Sequence, residues 1–302
     1  MTTPRRSRLS RRKAAAGRMF VAPNLIAVAV FMAFPLVFTL YLSLHRWDLF
    51  GSPTFVGIGN FRRLFAQDPL FWVALRNTAI FTVGTLVPTI AIGLAVAAAL
   101  NRKLKGIGLF RSIMFLPLVA STVAMAVVWR LTFSSDYGVL NTALGWAGIG
   151  PVPWLTDPTW AMVSLCLVSV WKSVPFATVI LLAAMQGIPT DVYEAARIDG
   201  AGAMRRFGSI TVPLIRPALG FTFVITVINS FQVFDQAYVL TGGKGGPETG
   251  TYVLGIMLYQ NAFSFDDIGY ACALAWVIFA ILLVLTLLQL RFTRRNAYES
   301  EA

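Results

Sequence analysis

The sequence predicts an all-α integral membrane protein: six transmembrane helices and a helix-turn-helix loop on the cytoplasmic side. Three observations lead there. Of 302 residues, 57% are apolar or aromatic and only 13% charged, with a mean hydropathy of +0.71. A soluble chain carries about 25% charged residues and could not cover so much apolar surface. Six apolar stretches, 19–44, 72–100, 108–133, 160–186, 217–240 and 268–290, are each long enough to cross about 30 Å of hydrocarbon at ~1.5 Å per residue. Finally, the basic residues gather in alternate connections between these stretches.

Residues 1–18 form a basic tail carrying Arg5, Arg6, Arg8, Arg11, Arg12, Lys13 and Arg18. The apolar run that follows has 26 residues, too long for a signal-peptide core of roughly 7–15. No small-x-small cleavage site follows it, so it reads as an uncleaved first span. Pro23 and Pro35 lie in that span, and Pro88, Pro117 and Pro175 in the second, third and fourth. A helical bundle tolerates them because neighbours and water satisfy the freed carbonyls. The connection after the second span carries Arg102, Lys103, Lys105 and Arg111; that after the fourth carries Arg197, Arg205, Arg206 and Arg216. The tail 291–302 carries Arg291, Arg294 and Arg295. The opposite loops hold only Arg46, Arg62, Arg63, Arg76 and Lys244. Positive residues stay inside, so both termini are expected in the cytoplasm and the loops 134–159 and 241–267 outside. The net charge of +12 is thus spread between apolar runs. It forms no single basic face, and no nucleic-acid partner is expected.

Much catalytic chemistry is missing. Gly242–Gly246 surrounds Lys244 but lacks the Ser or Thr of a P-loop, so it reads as a flexible outer loop. No GxSxG or HExxH occurs. Cys166 and Cys272 lie inside apolar runs, and no CxxC or Cys/His spacing suggests zinc. His45, the only histidine, ends an apolar run beside Arg46 and Trp47 and reads as an interfacial polar residue. No metal site, catalytic residue or cofactor bound by this chain is expected.

Polar residues inside the spans are the first candidates for function. Lys172 falls near mid-membrane with Ser169 and Ser173 close by, and Asn229 and Ser230 reach similar depth in the fifth span. Gln232 and Asp235 continue from Asn229 by steps of three on one helical face. A charge at the bilayer centre costs roughly 2.5–3.5 kcal/mol on insertion scales and normally faces an internal cavity. Amides and hydroxyls there suit sugar hydroxyls, and Trp171 and Phe231 could stack on sugar rings. The alternative is that these groups bond only between helices.

The connection 187–216 is the second candidate. Asp191 with Glu194 three residues on reads as a capping box. Gly200 suits the turn after that helix, and 201–209 form a second short helix stopped before Pro213. Ala195 and Ala196 give a close-approach surface beside a charged rim. Such a knob fits a groove on a soluble partner; on physics alone an interfacial helix resting on membrane lipid serves equally.

Glu194-Ala195-Ala196, Asp199-Gly200-Ala201, Ile210-Thr211-Val212-Pro213 and Pro217 resemble the EAA loop of ABC-importer permeases, those of the maltose-type carbohydrate importers in particular. The segments Phe55–Phe61, Phe115–Leu118, Tyr137–Asn141, Trp171-Lys172, Tyr238–Gly243 with Gly246-Pro247, and Gly269–Ala271 after Phe265 are similar too. The likeness covers almost the whole chain after residue 19; only Lys244-Gly245, lengthening a Gly-Gly-Pro turn, departs. The resemblance implies a type I ABC importer permease fold in a bacterial cytoplasmic (inner) membrane. It implies a second homologous permease subunit, two ATPase subunits that bind ATP and Mg, and an extracytoplasmic substrate-binding protein. It implies a sugar cargo, with glycerol-3-phosphate or a glycerophosphodiester as the alternative. Glu194, Ala195, Ala196, Asp199, Gly200 and Ala201 would then couple to an ATPase. A stand-alone secondary transporter is the lesser reading: no internal repeat is evident, and Asp235 is its only candidate ion-coupling carboxylate.

Overall fold

The structure, a computed structural model, describes residues 8–101 and 106–298. The basic residues Arg5, Arg6, Arg102, Lys103 and Lys105 lie outside the described residues. The chain divides into two compact units, Met1–Leu64 with Asn261–Trp276, and Phe65–Gln260 with Val277–Ala302.

The first unit opens with α1 (Arg8–Val28) and, after one wide π-helical turn over Ala29–Ala33, α2 (Phe34–Ser43). Pro35 has no N–H to donate to the preceding turn, and a widened turn accommodates that loss. Two residues on either side of a loop, His45–Arg46 and Thr54–Phe55, pair antiparallel, a small departure from a purely helical chain. His45, expected as an interfacial polar residue, is buried. Its Nδ1 lies 2.7 Å from the Tyr41 carbonyl and its ring 4.0 Å from that of Tyr41. The buried Asn60 of α3 (Gly59–Ala66) donates to the Ser43 and His45 carbonyls. Arg63 of the same helix pairs with Asp267 at 2.5 Å and lies over the Tyr270 ring.

The second unit is built on α4 (Pro69–Leu100), capped by Asp68, whose side chain accepts the Leu70 N–H at 2.9 Å. The expected third span is two helices. α5 (Ile107–Val119) and α6 (Thr122–Thr132) meet at a bend of 100°. Pro117 weakens the last turn of α5, and Ala120 and Ser121 are extended; the Ser121 carbonyl then accepts the Met125 N–H and restarts the helix. After α7 (Val139–Trp146), Asp157 caps α8 (Pro158–Gln186), accepting from the Thr159 and Trp160 N–H groups. α8 packs along α4 at close range: a Cβ on Gly93 would lie 2.9 Å from that of Ala177. Such small-residue contacts let helix backbones approach where lipid gives no hydrophobic drive.

Beyond α8 come α9 (Thr190–Ile198), α10 (Ala203–Arg206), a π turn over Phe207–Thr211, and α11 (Val212–Leu214). The second helix of the 187–216 connection therefore does not stop before Pro213. It runs from 203 to 214 through the widened turn that Pro213 requires, and bends by 68° into α12 (Arg216–Phe231). The fifth apolar stretch is broken too. Gln232–Phe234 leave the helical path before α13 (Asp235–Leu240), and Phe234 packs its ring against Tyr238 and Tyr259 at 5.2 and 4.8 Å.

The Gly242–Gly246 region, expected to be flexible, is tied down. Gln260 donates to the Gly243 carbonyl, and Tyr252 donates to the Gln260 Oε1 at 3.0 Å. Burial, and secondarily Asp68, pushes the Tyr252 phenol up to about 12, keeping the proton that bond uses. Asn77 of α4 donates to the Thr249 and Tyr252 carbonyls at 2.8 and 3.1 Å, and the buried α14 (Leu254–Tyr259) starts with its Leu254 N–H on Thr78. The last helix is α15 (Ile268–Tyr298).

Among the described residues, four helices are long and apolar enough to cross a membrane: Ala16–Ser43, Pro69–Leu100, Pro158–Gln186 and Ile268–Arg291. The two bent pairs bring the number to six if each is one span.

Candidate functional site

Two places gather the candidate residues. The first is a cavity of about 450 Å³ inside the second unit. α8 turns Ser169, Lys172 and Ser173 to one side, because residues three and four apart share a helix face. The end of α12 supplies Asn229 and Ser230, the break supplies Gln232, and the start of α13 supplies Asp235. All seven line the same cavity. The helical spacing the sequence suggested holds from Asn229 to Gln232, which closes α12 through its N–H to the Ile228 carbonyl, whereas Asp235 lies past the interruption at Val233–Phe234 and still lines the same cavity.

Hydrogen bonding divides the seven. Ser169 Oγ donates to Gln236 Oε1, Lys172 Nζ donates to Thr122 Oγ1 at the start of α6, and Ser230 and Thr85 share a bond of 3.0 Å. These three hold neighbouring helices together. Asn229, Ser173, Gln232 and Asp235 line the cavity and make no side-chain hydrogen bond among the described residues.

The two aromatics named from the sequence lie elsewhere. Trp171 points away and packs edge-on against Trp129 at 5.7 Å, while Phe231 is buried at 7% exposure, and neither lines the cavity. Phe81, Phe176 and Phe234 line it instead. Phe176 was within reach of the sequence, four residues after Lys172 on the same face. Gln236 also carried a signal, as a second amide in an apolar stretch. Thr85 and Thr122 carried none, because only folding brings their helices to α8.

The second place is the 187–216 connection. α9 ends in a Schellman motif: the Ala201 N–H reaches the Ala196 carbonyl at 2.9 Å and the Gly200 N–H reaches that of Arg197 at 3.0 Å. That closure needs positive φ at the position between them, and Gly200 stands at φ 76°. The capping box is not formed. The N-cap is Pro189, and Asp191 lies inside the first turn, where its charge still favours the helix N-terminus. Ala196 faces inward at 8% exposure; Glu194, Ala195, Asp199 and Gly200 are exposed, and Ala201 is half-buried. Tyr193 and Thr211 share a bond of 3.0 Å that ties α9 to the second helix. Beneath, Ile215 packs into one buried cluster with Ala97 and Leu100 of α4 and Leu181, Leu182 and Met185 of α8. The connection is thus anchored to the feet of the two longest helices of its unit.

No group of three or more potential metal ligands occurs among the described residues.

Residues 69–298 match the family described as binding-protein-dependent transport system inner membrane component. The chain is 40% identical over 299 residues to the lactose transport system permease protein LacF of Rhizobium radiobacter, covering 98% of this chain and 100% of that protein. It is 36% identical to the trehalose/maltose transport system permease protein MalF of Thermococcus litoralis, covering 95% of this chain and 97% of that protein. Among solved structures, a bacterial ABC transporter involved in the import of the acidic polysaccharide alginate matches with a TM-score of 0.80 at 25% identity. That match spans 94% of this chain and 96% of the other.

Proposed function

The chain belongs to the family of binding-protein-dependent transport system inner membrane components, and from that premise we propose that it is one permease subunit of an ABC importer for a sugar. It forms half of a translocation path, the other half coming from a second homologous permease. Two ATPase subunits hold ATP and Mg, and an extracytoplasmic binding protein delivers the cargo. The observation that carries this reading is the cavity: seven polar side chains from three helices converge on one space of about 450 Å³. Asn229, Ser173, Gln232 and Asp235 offer unspent donors and acceptors to hydroxyls, and Phe81, Phe176 and Phe234 offer ring faces. Relatives named for lactose and for trehalose/maltose support a mono- or oligosaccharide. The glycerol-phosphate alternative finds no support in those names.

In this reading the chain spans the membrane six times, each bent pair being one span. Both termini and 187–216 face the cytoplasm; 134–159 and 241–267 face outward, towards the binding protein. Glu194, Ala195, Ala196, Asp199, Gly200 and Ala201 sit in a cleft of an ATPase subunit. Closure of the ATPase pair moves 187–216, and the buried cluster around Ile215 passes that motion to α4 and α8. The cavity opens to one side at a time.

Uptake by Asn229→Leu and Ser173→Leu variants in the assembled complex tests the path. Expected are a raised KM or a lowered uptake rate with basal ATP hydrolysis unchanged. Wild-type uptake in both variants removes these residues from the path.

A further inference from the structure

Resting on the inward orientation proposed above for 187–216, we propose that a second cavity, between α4, α9 and α10, binds the headgroup and upper acyl chain of an anionic phospholipid. This cavity measures about 810 Å³ and shares no residue with the first. Its walls differ in kind. One is polar: Arg197 lies in the last turn of α9, Arg206 ends α10, and Asn101 follows α4. Neither arginine is paired with a carboxylate among the described residues. Glu194, one turn before Arg197, also lines the cavity, so the three charges leave one positive charge in excess. One phosphodiester neutralises it.

Beside Thr190, Tyr193 and Thr211, the rest of the lining is apolar. Ala95 and Ala98 are one turn apart on the same face of α4, and Phe207 closes the side. Ala95 lies five residues before Leu100, the last residue of α4, or about 7.5 Å along the axis at ~1.5 Å per residue. With the foot of α4 at the cytoplasmic surface, Asn101 stands at headgroup level and the alanines, further along α4, at the start of the hydrocarbon. Free phosphate has no use for the alanine wall, whereas a lipid uses both. Such a lipid bridges α9 and α10 to α4, so anionic lipid becomes part of the coupling element.

The test is native mass spectrometry of the delipidated assembled complex, titrated with phosphatidylglycerol or phosphatidylcholine. The variants are Arg197→Gln/Arg206→Gln and, with charge untouched, Ala98→Trp. At ~1 kcal/mol per basic side chain on an anionic leaflet, the double variant loses about 2 kcal/mol, roughly thirtyfold in phosphatidylglycerol affinity. Phosphatidylcholine binding stays unchanged, and Ala98→Trp weakens phosphatidylglycerol too. Equal phosphatidylglycerol affinity in wild type and both variants overturns the proposal. So does full displacement by equimolar inorganic phosphate, which marks a simple anion site. Loss of ATPase subunits from the double variant also overturns it, since the cavity then seats protein. A wild-type complex lacking ATPase subunits strikes at the importer reading and leaves the lipid titration to be judged by itself.

Discussion

Gly200→Val isolates the turn at the end of α9. Gly200 stands at φ 76°, and a Cβ built there meets nothing within 4 Å. The substitution therefore adds no clash inside this chain; its effect on this chain is backbone strain. Holding an L-residue in the left-handed region costs roughly 1–2 kcal/mol, with a β-branched residue at the upper end. If the turn relaxes to negative φ, the bonds from Ala201 to Ala196 and from Gly200 to Arg197 are lost, at about 1 kcal/mol each. Either way the turn is disfavoured by about 2 kcal/mol, roughly thirtyfold. The assay is ATP hydrolysis by the reconstituted complex with and without loaded binding protein, beside sugar uptake in the same vesicles. Stimulated hydrolysis and uptake should fall together, with the ATPase subunits still bound. Gly200→Asn, which tolerates positive φ, should keep most of both. Stimulation and uptake within twofold of wild type in Gly200→Val would refute the turn and its coupling role together.

Gly93→Leu should lower the melting temperature of the complex by parting α4 from α8, at about 1–3 kcal/mol for an overpacked contact. In a Gly93→Ala background, Ala177→Gly should restore at least half the loss; no recovery in a thermal scan would mean that Gly93 and Ala177 do not touch. Asn77→Leu removes the side-chain donor from the Tyr252 carbonyl and from that of Thr249, which keeps only the Tyr252 N–H, at about 1–3 kcal/mol. Amide exchange should quicken across 251–257 and stay unchanged across 190–198; protection as in wild type would sink the assigned bonds. A cysteine replacing Lys244 should react with an impermeant thiol reagent from outside and one replacing Arg205 should not, and the opposite pattern inverts the proposed topology.

The long helices were legible because each carries a run of apolar residues far beyond what a soluble core needs. Their breaks were not. Hydropathy averages over a window, so 108–133 and 217–240 look continuous although the chain turns by 100° after Val119 and leaves the helix at Gln232. Pro117 was a signal for the first break, whereas the second depends on Phe234 packing against Tyr259, a contact between segments. Gly200 was legible because its geometry is local: the positive φ and both closing bonds lie within six residues. Asp191 misled for the opposite reason. Asp and Glu three apart fit a capping box, yet Pro189 fixes the chain entry and draws Asp191 into the first turn. The order around 241–260 was invisible, since its key donor, Asn77, stands more than 170 residues away in the chain.

The placement of the breaks bears on how force could reach the cavity. α8 is unbroken from its Asp157 cap to Gln186, with Ser169, Lys172 and Ser173 in its middle and Met185 in the cluster that holds Ile215. From Ser173 to Met185 is twelve residues, about 18 Å of helix at ~1.5 Å per residue, continuous although Pro175 within it has no N–H to donate. α12 reaches the same cavity from the same anchor but through two weak points, the 68° bend at Ile215 and the open stretch Gln232–Phe234. A push on 187–216 would reach Ser169, Lys172 and Ser173 along α8, past Pro175. Across the cavity, Gln232 stands in the joint and Asp235 beyond it, and such a joint can yield. Asn229 stands before that joint. In the proposed transport cycle this break would let the two walls of the cavity move apart, as a path closed to each side in turn requires.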